Sequence, residues 1–173
     1  MSASAEVAIR AATAADAGVI GRHRAAMFRD MGMVPDDAAF AALADATAGY
    51  LAQAIPDGGY AGWLALAADG AVVAGAGAHV RPIIPRPGLG GVVLTAPQAL
   101  LVNVYTEPAW RRRGIAERLV RAALAWADDR GLSGVVLHAS DAGRALYARL
   151  GFRPTNEMAY HGAPVALTRR PSP

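Results

Sequence analysis

The sequence predicts a mixed α/β fold. Segments with the two-residue period of strands and segments with the 3.6-residue period of helices are interleaved along the chain. Of the 173 residues, 54% are hydrophobic and 18% are charged, which is enough apolar material for a buried core. No internal repeat and no long linker divides the chain. We therefore expect one domain over residues 1–173, with a frayed tail at 169–173.

The N-terminal third is predicted to hold one strand and two helices. Thr13 and Asp16 have the spacing of a capping box, which marks the start of the first helix. The second helix is rich in alanine and opens at Asp36. The predicted bounds are 7–13 for the strand, 13–32 for the first helix and 36–55 for the second.

The middle third is predicted to form three strands. Two apolar runs flank Asp69 and Gly70, a strong short turn signal, and so predict a hairpin over residues 60–80. Residues 81–91 are rich in proline and glycine and are expected to be a loop. The apolar run at 99–106 is the next strand, and Pro108 ends it.

The C-terminal third is predicted to alternate helices and strands. A helix with one apolar stripe follows Gly114, and Glu117 and Arg121 form a favourable pair on its outer surface. Gly131 and Gly151 stand where helices commonly end. The further predictions are a strand at 132–140, a helix at 141–151 and closing strands at 152–161 and 163–168.

Several classes of chemistry are excluded by composition. The chain has no cysteine, which removes disulfides, thiolate zinc sites and cysteine nucleophiles. It has no lysine, which removes Schiff-base and pyridoxal-phosphate chemistry. The histidines at 23, 79, 138 and 161 lack metal-ligand spacing, so no metal is expected. Because no signal peptide or long apolar run is present, we expect a cytoplasmic protein without a membrane partner.

The basic character of the chain suggests an anionic partner. All 17 basic residues are arginine, the formal net charge is +3 and the isoelectric point is about 9.8. Nucleic acid is one candidate, but the arginines are dispersed and lack the interleaved aromatic residues of a stacking surface. We therefore expect no nucleic-acid partner. A genome bias toward arginine accounts for most of these residues.

One stretch, residues 107–131, has its charges reversed relative to a helix dipole. Arg111, Arg112 and Arg113 stand at its front, and Asp128 and Asp129 stand at its back. An anionic ligand at the helix N-terminus would resolve the conflict at the front, and phosphate groups bind well at such ends. Gly114 and Ala116 are small, as close approach of a ligand to the backbone requires. Ordinary solvated charges are the alternative, and they remain the best explanation for the two aspartates.

Two motifs in this region carry a resemblance to a known family. The segment RRRGIA at residues 111–116 resembles the acyl-CoA loop of the GCN5-related N-acetyltransferase (GNAT) superfamily, whose pattern is Q/R-x-x-G-x-G/A. The segment LYARLGF at 146–152 resembles that family's LYxxxGF signature. The order of segments across nearly the whole chain is also similar.

The resemblance implies a fold and a cofactor site. It implies a mostly antiparallel mixed sheet that splays between its fourth and fifth strands, with acetyl-CoA in the gap and no metal. The backbone of the strand would pair with the pantetheine arm, and the loop would hold the pyrophosphate. The implied cofactor-binding residues are Val104, Tyr105, Thr106, Arg111, Arg112, Arg113, Gly114, Ile115, Ala116, Glu117 and Ser140. Ser140 replaces the asparagine that the family often has, and a role in capping the following helix is the alternative for it.

The resemblance also implies a catalytic acid. Tyr147 matches the tyrosine that protonates the departing CoA thiolate in this family. A phenol holds its proton at neutral pH and can give it to a developing thiolate. The alternative is a tyrosine that only packs at the end of its helix.

The general base and the acceptor site are less well marked. His138 and Glu157 are candidates for the base, whereas Glu107 lies too close to the cofactor loop. Asn103 lies in the splay region and cannot act as a base, but it could hold a water or orient the substrate. Phe28 and Asp30 are candidates for the acceptor pocket on the first helix. The other side chains along that helix, among them His23 and Met27, are expected to be core.

We therefore expect an enzyme that acetylates the primary amine of a small molecule. The sequence leaves open a protein acceptor and a CoA-binding module without turnover. A homodimer is possible by analogy with the family.

Overall fold

The computed structural model describes residues 7–159, and its four helices and the five strands of its main sheet follow the predicted order. The strands are β1 (Ala8–Ala11), β2 (Tyr60–Leu66), β3 (Val72–Arg81), β4 (Arg86–Pro87), β5 (Val93–Leu94), β6 (Gln98–Thr106) and β7 (Val135–Leu137). The helices are α1 (Ala17–Asp30), α2 (Asp37–Ala54), α3 (Ile115–Asp129) and α4 (Arg144–Arg149). Short 3₁₀ turns precede α1, α3 and α4.

Five of the strands form one mixed sheet, as predicted. Its order is β1-β2-β3-β6-β7, in which only the β6–β7 pair is parallel. The turn between β2 and β3 is the predicted one, with Gly70 at φ 84° and the Asp69 side chain accepting a hydrogen bond from the backbone of Ala71. The strands β4 and β5 form a separate ribbon at the predicted loop.

Helices cover both faces of the sheet. On one face, α1 and α2 pack on a cluster that includes Ile20, Leu51 and Leu64. On the other face, α3 packs on the sheet through Ile115 and Leu119.

Strand β6 outlasts its partner β7. The parallel pairing covers only Ala99 to Leu101, opposite Val135 to Leu137, whereas β6 continues to Thr106. A β-bulge also interrupts the pairing of β6 with β3 between Gly75 and Gly77, and Asn103 in it has φ 56°. Asparagine tolerates this left-handed backbone better than most residues. The predicted splay is therefore present, and a bulge lies at its start.

The start of α1 is fixed by a buried carboxylate. Asp16 is 8% exposed, and it accepts hydrogen bonds from the backbone and hydroxyl of Thr13 at 2.8 and 3.0 Å. Arg10 of β1 donates two further hydrogen bonds to it, both 2.8 Å long. The Arg10 guanidinium lowers the pKa of Asp16 well below its usual range, and the hydrogen bonds from Thr13 act in the same direction.

Replacing Asp16 with asparagine should lower the free energy of unfolding by about 1.5–3 kcal/mol at pH 7, because a charged hydrogen-bond acceptor is lost. The folded-state pKa is lowered, so the stabilisation is complete above the unfolded pKa of about 4 and is lost as pH falls below it. Urea unfolding of both proteins from pH 7 to pH 2.5 measures this. The difference between them should be constant above about pH 5 and narrow below about pH 4. A difference in the free energy of unfolding that does not change with pH would contradict a stabilising role of the Asp16 carboxylate.

The predicted start of α3 after Gly114 is confirmed, since the helix begins at Ile115 and the arginines at 111–113 precede it. Another predicted boundary needs correction. Residues 152–159 form no strand, although a closing strand was expected to begin there. The remainder of that strand, the one predicted at 163–168 and the tail at 169–173 lie outside the described residues.

The described helices also bear on membranes and metals. No helix within residues 7–159 is both long and apolar enough to cross a membrane. In the same range, no three His, Asp or Glu side chains come close enough together to hold a metal ion.

Candidate active site

The N-terminus of α3 presents unpaired backbone amides. Gly114 stands at the N-cap with φ 75°, a conformation that favours glycine, and no side chain caps the helix. The first bond of the helix runs from the amide of Arg118 to the carbonyl of Gly114, at 3.2 Å. The amides of Ile115, Ala116 and Glu117 therefore have no acceptor within the helix. This end of the helix has the electrostatics of an anion site.

The side chains of two of the three arginines turn back onto the protein. Arg111 donates to the carbonyl of Thr106 at 2.9 Å and forms an ion pair with Asp30. Arg113 donates to a backbone carbonyl at 3.0 Å and lies over the ring of Trp110. Arg112 is exposed and has φ 59°. The loop therefore presents mainly its backbone at the start of α3. The ion pair of Arg111 with Asp30 links the loop to α1.

The free edge of β6 runs up to this loop. The amide of Glu107 donates to the carbonyl of Val73 in β3, at 2.9 Å. Because backbone groups alternate along a strand, those of Thr106 and Val104 face the opposite side, where β7 is no longer paired. The bond from Arg111 to the Thr106 carbonyl is consistent with this direction. The backbone of Tyr105 instead lies opposite Gly75 of β3.

Tyr147 of α4 lies on the same side as the gap. It is half-buried against the cluster formed by Leu101, Val120 and Ala123, on which Val104 also packs. Its ring meets that of Phe152 edge to face, with centroids 5.7 Å apart. Burial raises the pKa of Tyr147, so its hydroxyl carries a proton at neutral pH. Such a group can donate a proton but not accept one.

Ser140 has a smaller local role than the sequence suggested. It stands at the N-cap of the 3₁₀ turn before α4, where its carbonyl accepts bonds from the amides of Gly143 and Arg144 at 3.0 and 3.2 Å. Its side chain makes no capping hydrogen bond, so the interpretation of Ser140 as a side-chain cap is wrong. Its hydroxyl is left available for another partner.

Asn103 is the centre of a polar cluster at the bulge. Its side chain is buried, accepts a hydrogen bond from Arg24 of α1 and donates one of 3.1 Å to the Tyr60 hydroxyl. Burial raises the pKa of Tyr60 to about 12, so that hydroxyl stays neutral. The guanidinium of Arg24 lies over the ring of Phe28, 4.8 Å from its centroid. Two of the predicted acceptor residues, Asn103 and Phe28, are thus joined through Arg24.

A second group of polar side chains lines a cleft on the α1 side of the sheet. The cleft has a volume of about 600 Å³, and Arg22, His23, Tyr105 and Glu107 are among its lining residues. His23 is buried, lies 3.3 Å from the Glu107 carboxylate and packs against the ring of Tyr105. Burial lowers the pKa of His23, the nearby carboxylate opposing this shift only in part. His23 therefore belongs to the buried core, as expected. The Glu107 carboxylate lies against its ring.

His138 and Glu157 form an exposed pair. The His138 ring lies 2.8 Å from the Glu157 carboxylate, which is also 4.0 Å from Arg81. Hydrogen bonding from His138 lowers the pKa of Glu157. In the described part of the chain, no hydrogen bond connects this pair to Asn103. Asp30, the remaining predicted acceptor residue, is half-exposed and pairs with Arg111.

Sequence reasoning did not identify Arg24 and Tyr60 as parts of the site. Arg24 lies four residues after Ile20, and its place on the buried side of α1 was an available signal. Tyr60 opens a strand and reads as ordinary core, because only the bulge brings Asn103 to its hydroxyl.

Comparison with known proteins gives a consistent result. Residues 28–152 match the acetyltransferase (GNAT) family. A search of curated proteins gave no significant match. Among solved structures, the chain is similar to a GCN5-related N-acetyltransferase from Ralstonia eutropha JMP134. That pair has 35% identity and a TM-score of 0.77, over 90% of this chain and 98% of the other.

Two more distant structures share the fold. One is a predicted acetyltransferase with acetyl-CoA from Clostridium acetobutylicum, at 23% identity and a TM-score of 0.76, over 91% of this chain and 96% of that one. The other is the aminoglycoside N-acetyltransferase AAC(6')-Iy in complex with CoA, at 21% identity and a TM-score of 0.62, over 92% and 96%. Together with the family match, the open edge of β6 and the amides at α3 lead to one conclusion: this chain belongs to the GNAT family of acetyltransferases.

Proposed function

We propose that the protein transfers the acetyl group of acetyl-CoA to a primary amine of a small molecule. The observation that carries the proposal is the continuity of the free β6 edge with the unpaired amides at the start of α3. An extended arm and a pyrophosphate are the two parts of CoA that such a surface would take. The similar structures that contain acetyl-CoA or CoA support the same assignment.

The residues present fit this cosubstrate. The amides of Ile115, Ala116 and Glu117 would bind the pyrophosphate. The space beside Gly114 is open, because no atom of residues 7–159, apart from its chain neighbours, lies within 4 Å of the place of a Cβ. The backbone of Val104 and the amide of Thr106 would pair with the pantetheine arm, since the Thr106 carbonyl already accepts from Arg111. Arg112 and the hydroxyl of Ser140 would add polar contacts. Acetyl-CoA supplies an activated acyl group and a thiolate leaving group.

Tyr147 would act as the general acid. Tyr147 packs on the same cluster as Val104, and its protonated hydroxyl would protonate the departing thiolate while the attacking amine releases a proton to solvent. The acceptor would approach from the α1 side, past Phe28 and Asn103. Similarity to an aminoglycoside N-acetyltransferase favours a small molecule over a protein N-terminus.

The proposal is tested by CoA release from acetyl-CoA with a panel of amines, together with a thermal-shift titration of acetyl-CoA. Both turnover and stabilisation are expected. Stabilisation without turnover on any amine would instead support a CoA-binding module. Absence of stabilisation at millimolar acetyl-CoA would contradict the cosubstrate itself.

Gly143 lies against the ring of Tyr147, and a substitution there tests whether the position of that ring matters. A Cβ at Gly143 would lie 2.8 Å from Cε2 of Tyr147, so the ring has to shift in Gly143→Ala. Because a shift of about 1 Å in a reacting group can cost up to 10²-fold, we expect kcat to fall about tenfold or more. The backbone of Gly143 is helical, so the free energy of unfolding should change little.

Gly49→Ala is the matched control for that substitution. Gly49 lies within α2, and nothing lies within 4 Å of the place of its Cβ. The kcat of Gly49→Ala should equal that of the wild type. Equal kcat values for Gly143→Ala and Gly49→Ala would show that Tyr147 has no defined position in the reaction.

A further inference from the structure

Arg24 differs in its surroundings from the other arginines of the described chain. Within residues 7–159 only Arg24 and Arg81 are half-buried, and Arg81 faces the Glu157 carboxylate at 4.0 Å. Arg24 has no carboxylate partner among those residues; its recorded polar contact is the side-chain oxygen of Asn103. A guanidinium removed from water without a counter-ion is costly, so proteins normally pair it.

The nearby acids are engaged elsewhere. On the same helix, Asp30 is held by Arg111. At the end of β6, Glu107 lies against His23. The hydroxyl of Tyr60, the next polar group beyond Asn103, is neutral because burial raises its pKa to about 12. Among residues 7–159, the cluster at the bulge therefore has no carboxylate that compensates its positive charge.

The guanidinium is also positioned to bind a ligand. It is fixed on one side by Asn103 and on one face by the ring of Phe28. An arginine has five N–H donors in a planar fork, and within residues 7–159 only Nη1 of Arg24 has an acceptor. The side chain is half-buried, so part of it remains open to solvent. Pre-organisation of this kind favours two-pronged recognition of an oxyanion.

We propose that Arg24 binds a carboxylate of the acceptor, so that the substrate is an amine that also carries a carboxylate, such as an amino acid. This rests on the proposed function, which places the acceptor at the bulge of β6. One guanidinium flanked by neutral Asn103 and Tyr60 matches the single charge and planar shape of a carboxylate. A phosphate dianion would call for more positive charge than this cluster holds.

The test compares each of several amino acids with its own carboxamide, which keeps the amine and the side chain and removes the charge. L-methionine, L-phenylalanine and β-alanine are suitable probes. Binding to the protein–CoA complex is measured by calorimetry, and acetylation is measured by kcat/KM. In at least one pair the wild type should prefer the carboxylate. Arg24→Gln should lower the affinity and the kcat/KM for that amino acid by about 10- to 100-fold. For its carboxamide, both should fall by less than about threefold.

Arg29→Gln is the matched control. Arg29 lies on the same helix and over a phenylalanine ring, that of Phe40 at 4.2 Å, but it is exposed and paired with Asp37. Arg29→Gln should leave the affinity and the kcat/KM for both members of each pair unchanged. Equal losses for the acid and the carboxamide in Arg24→Gln would assign Arg24 to holding Asn103 and overturn the proposal, as would the absence of a preference for the carboxylate in every pair. Turnover of neutral or polycationic amines in that case would leave the proposed acetyltransferase function intact, whereas no turnover of any amine would contradict that function too.

Discussion

Replacing Tyr147 with phenylalanine is expected to lower kcat by about 10²- to 10⁴-fold, the usual contribution of a positioned general acid. The substitution removes only the hydroxyl and keeps the ring that packs on Phe152 and on the cluster around Leu101. The structure records no hydrogen bond from this hydroxyl to residues 7–159, so the folded state should lose little. The measurement is kcat with a saturating amine, beside the melting temperature with and without acetyl-CoA.

A hydroxyl removed elsewhere provides the control for this substitution. Tyr50 of α2 is 56% exposed, and Tyr50→Phe should leave kcat unchanged. Acetyl-CoA should stabilise Tyr147→Phe as much as the wild type. A kcat for Tyr147→Phe within about twofold of the wild type would remove Tyr147 from the chemistry, because general acid catalysis contributes far more than this.

Of the substitutions described, Gly77→Ala is expected to lower the free energy of unfolding most. A Cβ at this position in β3 would lie 1.8 Å from the hydroxyl oxygen of Tyr60 and 2.1 Å from Cζ of its ring. Tyr60 is 3% exposed, so the ring cannot turn out to solvent without opening the core. We expect a loss of about 3 kcal/mol or more, at the upper end of overpacking costs. In a chain of this size that corresponds to a fall in melting temperature of roughly 6–12 °C.

The same substitution should disturb the proposed acceptor site. When Tyr60 moves, the amide of Asn103 loses its acceptor, and the position of Arg24 is fixed through Asn103. Gly75→Ala is the control, since it lies two residues away and its Cβ would first meet the flexible end of Leu64 at 3.2 Å. Its cost should stay below about 1.5 kcal/mol. Equal effects of the two substitutions would contradict the tight fit between Gly77 and Tyr60.

Much of the fold follows from local chemistry in the sequence. Thr13 and Asp16 mark the start of a helix because their side chains and backbone groups satisfy each other, whatever lies around them. Asp36 does the same for α2, where it accepts from the amide of Ala39 at 2.7 Å. Glycine marks the end of α1, where Gly32 has φ 74°. Such signals depend on a few neighbouring residues, which a single sequence contains.

Other features depend on contacts between distant segments and were not predicted. The bulge at Asn103 needs the register of β3 against β6, and the Arg24 contact needs α1 to cross that bulge. The ribbon of β4 and β5 lies in a segment whose prolines and glycines indicate a loop. The fold, and the loop that joins β6 to α3, could thus be anticipated from motifs, whereas the cluster of Arg24, Asn103 and Tyr60 required the three-dimensional arrangement.

We propose that the edge of β6 and the amides of α3 form one binding surface for acetyl-CoA. The most direct test is the melting temperature with acetyl-CoA and with S-acetylpantetheine, which lacks the pyrophosphate and the adenosine 3′-phosphate attached to it. At about 100 times its dissociation constant, acetyl-CoA should stabilise the protein by about 2.7 kcal/mol, a rise of roughly 5–11 °C. S-acetylpantetheine at the same concentration should give a much smaller rise. No shift with millimolar acetyl-CoA, or equal shifts with the two compounds, would contradict a binding surface that includes the amides of α3.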